Sequence, residues 1–126
     1  MPENTEEYIN RSTNLPFFAA MDKSRPLGFI SLKENNQYTA EIYVMGILPD
    51  YHRQGVGRAL FNSALSWAKE KGYEFLQVKT LDESHPDIYY ARTRKFYFSM
   101  GFRPLECFPE LWGKENPCLI MVQYIK

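Results

Sequence analysis

The chain has 126 residues, 44% of them hydrophobic and 24% charged, with fifteen Lys plus Arg balancing fifteen Asp plus Glu. This length gives one domain with a self-supporting core, and the zero net charge argues against a protein held to nucleic acid mainly by phosphate neutralisation. No apolar run approaches the roughly 18 residues of a membrane span, and the stretch Met1 to Glu7 is polar and acidic where a signal peptide is basic and then apolar, so a cytoplasmic location is expected. Cys107 and Cys118 lack the paired spacing of a zinc site. They are expected to be reduced, packed thiols, and no metal is expected.

In chain order, Thr5 to Asn10 is expected to be a short helix, leaving about 16 residues ahead of the first strand. Phe17 to Met21 and Leu27 to Leu32 read as strands joined by Asp22 to Pro26, a hairpin. Tyr38 to Leu48 is rich in β-branched and aromatic residues and reads as a central strand closed by Pro49 and Asp50. Val56, Leu60, Phe61, Ala64, Leu65 and Ala68 recur at helical spacing up to Gly72. Phe75 to Leu81 alternates as a strand, which makes strand, helix and strand a parallel unit with a right-handed crossover. After a polar loop, Ile88 to Met100 predicts a second helix ended by Gly101. Two last strands follow near Phe102 to Phe108 and Leu119 to Ile125. The result is an α/β domain on a mixed, mainly antiparallel sheet.

The most informative stretch runs from Leu48 to Leu60, between a strong strand and a strong amphipathic helix. Gly55 and Gly57 let the backbone turn tightly with no Cβ in the way, so that successive N–H groups can point into one concavity. The first helical turn adds unpaired donors and the positive end of the helix dipole. A diphosphate fits such a turn, and Arg53 and Arg58 are either supplementary charges or solvated surface residues. No Gly-Lys-Ser/Thr follows, which excludes a P-loop, and Leu60 stands where a dinucleotide fingerprint has its third glycine.

His52-Arg53-Gln54-Gly55-Val56-Gly57 resembles the acetyl-CoA motif of the GCN5-related N-acetyltransferase (GNAT) family, Gln/Arg-x-x-Gly-x-Gly/Ala, with His52 in the first position. Phe96-Tyr97-Phe98-Ser99-Met100-Gly101-Phe102 is similar to that family's Phe-Tyr-x-x-x-Gly-Phe segment. The two motifs stand in the family's order, and the resemblance covers roughly Tyr38 to Ile125. It implies one N-acetyltransferase domain over residues 1–126, with a GNAT-type fold, a short N-terminal region and a central parallel strand pair splayed at the cofactor. It also implies acetyl-CoA as co-substrate, bound by backbone groups near Ile47 and by N–H groups from Gln54 through Gly55, Val56, Gly57 and Arg58. The implied reaction is transfer of acetyl to a primary amine by direct attack in a ternary complex.

Such a transfer needs a neutral amine, a polarised carbonyl and a proton for the departing thiolate. By resemblance, Glu41 on the central strand is the general base, acting through water; the other reading is a solvent-facing strand carboxylate. By resemblance, Tyr97 is the general acid beside the sulfur; the other reading is an aromatic core residue. A backbone N–H near Ile47 would polarise the carbonyl. His85 is an alternative base, its ordinary pKa lying near 6.5. The Asn and Ala often found before Phe-Tyr in the family are Tyr90 and Thr93 here, so Tyr90, Thr93, Arg94 or Lys95 could meet the cofactor instead.

The segment Glu106 to Pro117, rich in aromatic and acidic residues, either lines an acceptor pocket or a dimer contact, or simply packs. The short front end allows a homodimer to complete the acceptor wall. It equally allows a non-catalytic acyl-CoA-binding module. The acceptor amine is open: Asp82, Glu83, Glu106 and Glu110 would attract a cation or are plain surface charges.

Overall fold

A computed structural model of the chain describes residues 4–10, 15–48, 51, 55–113 and 115–126. Its strands are β1 (Asn4–Asn10), β2 (Leu15–Asp22), β3 (Arg25–Asn36), β4 (Thr39–Ile47), β5 (Phe75–Leu81), β6 (Arg103–Phe108) and β7 (Cys118–Tyr124), with helices α1 (Val56–Glu70) and α2 (Ile88–Ser99). The seven strands form one sheet in the order β1-β2-β3-β4-β5-β7-β6. Among the described residues β4 and β5 are the only parallel neighbours, and the rest of the sheet is antiparallel. The α/β class and the mixed, mainly antiparallel sheet follow the expectation.

One element differs. The segment expected as a helix, Thr5 to Asn10, is strand β1, with Thr5 opposite Ala20 and Tyr8 opposite Phe17. Glu6 and Glu7 favour helix locally, but so short a helix does not stand alone, whereas the edge of β2 offers a full ladder. The first strand therefore begins at Asn4, and the expected strand-free front end is not present.

Local chemistry sets the turns. The β2–β3 hairpin closes with Asp22 opposite Arg25, and Lys23 takes a left-handed φ of 57° between them. Asn36 accepts the N–H groups of Tyr38 (2.8 Å) and Thr39 (3.0 Å) through Oδ1, an Asx turn that starts β4. Asp87 caps α2 by accepting from Tyr89 N–H at 2.8 Å. At its end Gly101 is left-handed (φ 103°), and Phe102 N–H reaches back to Tyr97 C=O at 3.0 Å.

Both helices share one core. Val56, Leu60, Ala64 and Ala68 of α1 fall on one stripe and bury against Ile30, Leu32, Ala40 and Ile42 of the sheet. Phe102, fully buried, joins the helices: Phe61 of α1 and Tyr97 of α2 meet its ring edge-on at 5.8 and 5.7 Å. Side chains alternate along a strand, so Glu41, between Ala40 and Ile42, lies on the opposite face of the sheet. No helix among the described residues covers that face.

Candidate active site

The parallel ladder is short. Thr39, Ala40, Glu41 and Ile42 pair with Phe75, Leu76, Gln77 and Val78, and there the described pairing of β4 with β5 ends, although β4 runs on to Ile47 and β5 to Leu81. The cause is on the other side of β4. Ser31 pairs with Val44 and Leu32 with Ile42, which leaves Tyr43 as an extra residue, a β-bulge that bends the strand away. Over Tyr43 to Gly46 and Lys79 to Leu81, β4 and β5 therefore present backbone to a gap between them instead of to each other.

The far end of this gap leads into the start of α1. Gly55 is the N-cap, with φ 83° and ψ 1°, a left-handed conformation in which glycine carries no steric cost. The helix has no side-chain cap and no acidic residue in its first turn. Among the described residues no acceptor meets the N–H groups of Val56, Gly57 and Arg58, and the first bond of the turn is Ala59 N–H to Gly55 C=O at 3.0 Å. Gly57 also serves packing: a Cβ there would stand 3.1 Å from ring atoms of Phe96 on α2 and from Cδ1 of Ile47 at the end of β4. This glycine brings the strand end, the helix start and α2 together. Gly28 and Gly46 do the same across β3 and β4, since a Cβ at Gly28 would lie 2.8 Å from the Gly46 carbonyl oxygen.

Glu41 and Tyr97 lie on opposite sides of the sheet. Glu41 is 3% exposed. Its Oε1 accepts from Asn35 Nδ2 and Gln77 Nε2, each at 2.9 Å, with Lys79 Nζ at 3.7 Å. Asn35 is the extra residue of a second bulge, at the end of β3, and Gln77 is the parallel partner of Glu41. All three contacts fall on one oxygen, and among the described residues no hydrogen bond reaches Oε2. The carboxylate is thus buried and held through Oε1, with Oε2 uncommitted among the described residues. The exposed strand carboxylate considered from sequence is not what the fold builds.

Tyr97 belongs to the helix-side core, 7% exposed between Phe96 and Phe102. Burial pushes its phenol up to about 12, with Tyr89 and Tyr90 adding in the same direction. Its hydroxyl has no hydrogen-bond partner among the described residues, so it keeps its proton through the neutral range and is free to donate it. Of the two readings raised by the sequence, the structure shows the packed aromatic ring, and the phenol stays protonated within it.

A family model described as the acetyltransferase (GNAT) family matches residues 1–102, most of the chain. The chain belongs to the GNAT acetyltransferase family. Among curated relatives it is 28% identical over 96 residues to the uncharacterized N-acetyltransferase MJ1207 of Methanocaldococcus jannaschii, covering 71% of this chain and 40% of that protein. The chain thus spans about two fifths of the length of that relative. Among solved structures, nourseothricin acetyltransferase superposes with a TM-score of 0.79 at 21% identity, over 91% of this chain and 68% of that one. A structure from Bacillus anthracis str. Ames, in complex with acetyl coenzyme A, gives 0.77 at 22% identity, over 89% and 63%. These likenesses establish the GNAT fold.

Within this GNAT domain the remaining candidates separate. Ile47 ends β4 opposite Gly28, with its side chain beneath Gly57. Arg58 is exposed on the first turn of α1. His52, Arg53 and Gln54 lie outside the described residues. His85 spends its Nδ1 lone pair on Asp87 N–H at 3.2 Å and braces the turn before α2. Arg94, a candidate for the cofactor, instead donates from Nη1 to the Leu81 carbonyl at 2.6 Å and holds the end of β5. Thr93 bonds back to Tyr89 C=O at 3.1 Å.

Burial raises both thiols, aided at Cys107 by Asp82 and partly offset at Cys118 by Lys79, so neither is a ready thiolate. Phe108, Pro109, Glu110 and Leu111 line a surface concavity of about 410 Å³, with Leu111 and Trp112 exposed, so plain packing does not describe that segment. Among the described residues no group of three His, Cys, Asp or Glu side chains could hold a metal, and no helix is long and apolar enough to cross a membrane. Sequence reading did not find Asn35, Gln77 and Lys79 as the partners of Glu41, because their convergence depends on the strand register and the bulges.

Proposed function

We propose that the protein transfers the acetyl group of acetyl-CoA to a primary amine, by direct attack of the amine in a ternary complex. One observation carries the reading: two parallel strands part from each other over Tyr43 to Gly46 and Lys79 to Leu81, toward a helix start whose first N–H groups have no acceptor among the described residues. An extended amide-bearing arm fits the gap, and a pyrophosphate fits the helix start. The residues that would hold the cofactor are Val56, Gly57 and Arg58 through their N–H groups and the β4 backbone near Ile47. The motif adds Gly55, Gln54 and Arg53. Bound there, acetyl-CoA supplies the activated thioester.

The chain's own groups divide the proton traffic. The uncommitted Oε2 of Glu41 accepts the proton of the incoming ammonium, directly or through one water, on one face of the sheet. The neutral amine would then form the C–N bond as the C–S bond breaks, and the nitrogen's second proton would pass to solvent as the amide forms. Tyr97, on the helix side, donates a hydrogen bond to the sulfur as it takes up negative charge. A main-chain N–H near Ile47 stabilises the carbonyl oxygen. Base and acid thus approach the reacting carbon from opposite sides of the sheet, through the gap where β4 and β5 part.

The test is a panel of polyamines, amino acids, aminoglycosides and peptide N-termini incubated with acetyl-CoA and a thiol-detecting dye. The expected result is amine-dependent release of one free thiol per acetyl group transferred. Saturable acetyl-CoA binding with no release for any amine would favour the non-catalytic acyl-CoA-binding module.

A further inference from the structure

We propose that the hydroxyl of Thr80 is a binding group for the pantetheine arm of coenzyme A, hydrogen-bonded to one of its amides; this rests on the acetyl-CoA reading above. Thr80 is 2% exposed, and its Oγ1 is, among the described residues, the one side-chain oxygen or nitrogen that is itself closed off from solvent and has no hydrogen-bond partner. Polar groups sealed from solvent are nearly always paired, so this orphan points to a partner that arrives later.

Its position says which partner. Thr80 lies on β5 two residues past Val78, the last residue paired with β4, which places it about 7 Å into the gap at the usual strand rise. By alternation it shares the face of Leu76 and Val78, the side on which Tyr97 lies, while Lys79 shares the face of Glu41.

Pantetheine is a chain of amides that loses its water on entering such a gap and needs donors and acceptors from the strands. The next acceptor along β5, the Leu81 carbonyl, is already engaged by Arg94. The Thr80 hydroxyl is thus a side-chain group at the gap that can both donate and accept. Valine has nearly the same shape, suits a strand equally well and buries no hydroxyl, so threonine is the costlier residue here unless a ligand repays it.

The experiment compares Thr80→Val and Thr80→Ser with the parent protein. Melting temperatures are measured without ligand, and dissociation constants by calorimetry for coenzyme A and for adenosine 3′,5′-bisphosphate, which lacks the pantetheine arm. Thr80→Val is expected to melt no lower than the parent, to bind coenzyme A about tenfold more weakly, and to bind the bisphosphate unchanged. Thr80→Ser is expected to keep its coenzyme A affinity within about twofold.

Unchanged coenzyme A affinity in Thr80→Val, equal losses for both ligands, or a lower melting temperature of the free valine variant would each overturn the assignment. The last would mean that an internal water already satisfies the hydroxyl. Failure of the parent protein to bind coenzyme A would overturn the acetyl-CoA reading itself, and this assignment with it.

Discussion

Tyr97→Phe is expected to lower kcat for acetyl transfer by about 10²-fold while leaving KM for acetyl-CoA within about twofold. The ring sits edge-on to Phe102 at 5.7 Å, and phenylalanine keeps that packing, so the variant isolates the hydroxyl. The role it loses is specific. Burial puts the phenol near 12, whereas an ordinary thiol titrates near 8.5, so complete proton transfer from Tyr97 to the thiolate is unfavourable by a factor of about 10³. In the proposed reaction Tyr97 would therefore serve as a hydrogen-bond donor to the developing thiolate, with the thiol proton completed from solvent.

The same phenol shapes alkaline stability. The unfolded chain releases this proton near pH 10 and the folded chain only near 12, so the folded state holds more protons in between and stability falls as pH rises through that window. Below pH 10 the contribution is fully present. Tyr73, raised to about 12 by burial and by its hydrogen bond to Glu34, adds in the same direction. In denaturant melts from pH 9 to 12, Tyr97→Phe should flatten part of the decline, by up to about 1.4 kcal/mol per pH unit. A variant with full turnover would remove Tyr97 from the chemistry and leave it as core packing.

Glu41→Gln is the second large effect, a fall in kcat of about 10²–10³-fold with little change in acetyl-CoA affinity. Glutamine keeps the shape, and its carbonyl oxygen still accepts from Asn35 and Gln77, so packing and two of three contacts survive. Lys79 loses its ion pair, but its side chain is 28% exposed and reaches water, which holds the stability loss to about 1 kcal/mol or less. Glu41→Ala leaves Asn35 and Gln77 without their acceptor and is expected to cost more, about 2–3 kcal/mol. Normal turnover in Glu41→Gln, together with a large drop in melting temperature, would make Glu41 a structural carboxylate that organises the parallel pair.

The sequence reading succeeded where local chemistry decides. The stripe from Val56 to Ala68, the alternation of Phe75 to Leu81 and the glycine after α2 each specify an element without reference to anything distant. The turn at Gly55 was legible because a strand, two glycines and an amphipathic helix lie consecutively in the chain. What was not legible depends on pairing. Thr5 to Asn10 reads as helix from its own residues and becomes a strand only because β2 presents an open edge. The bulges at Tyr43 and Asn35 follow from cross-strand register, and they open the gap and aim Asn35 at Glu41. The unpaired hydroxyl of Thr80 is likewise invisible in a strand where threonine is an ordinary choice.

The central claim is that acetyl-CoA lies along the parted strands with its pyrophosphate on the first turn of α1. Titration of acetyl-CoA into ¹⁵N-labelled protein, followed through the backbone amide signals, tests it most directly. The account predicts saturable binding, with the largest displacements at Val56, Gly57 and Arg58 and along β4 and β5 beyond Ile42 and Val78. No saturable binding, or binding that leaves the amides of Val56 to Arg58 unmoved while signals elsewhere shift, would contradict it.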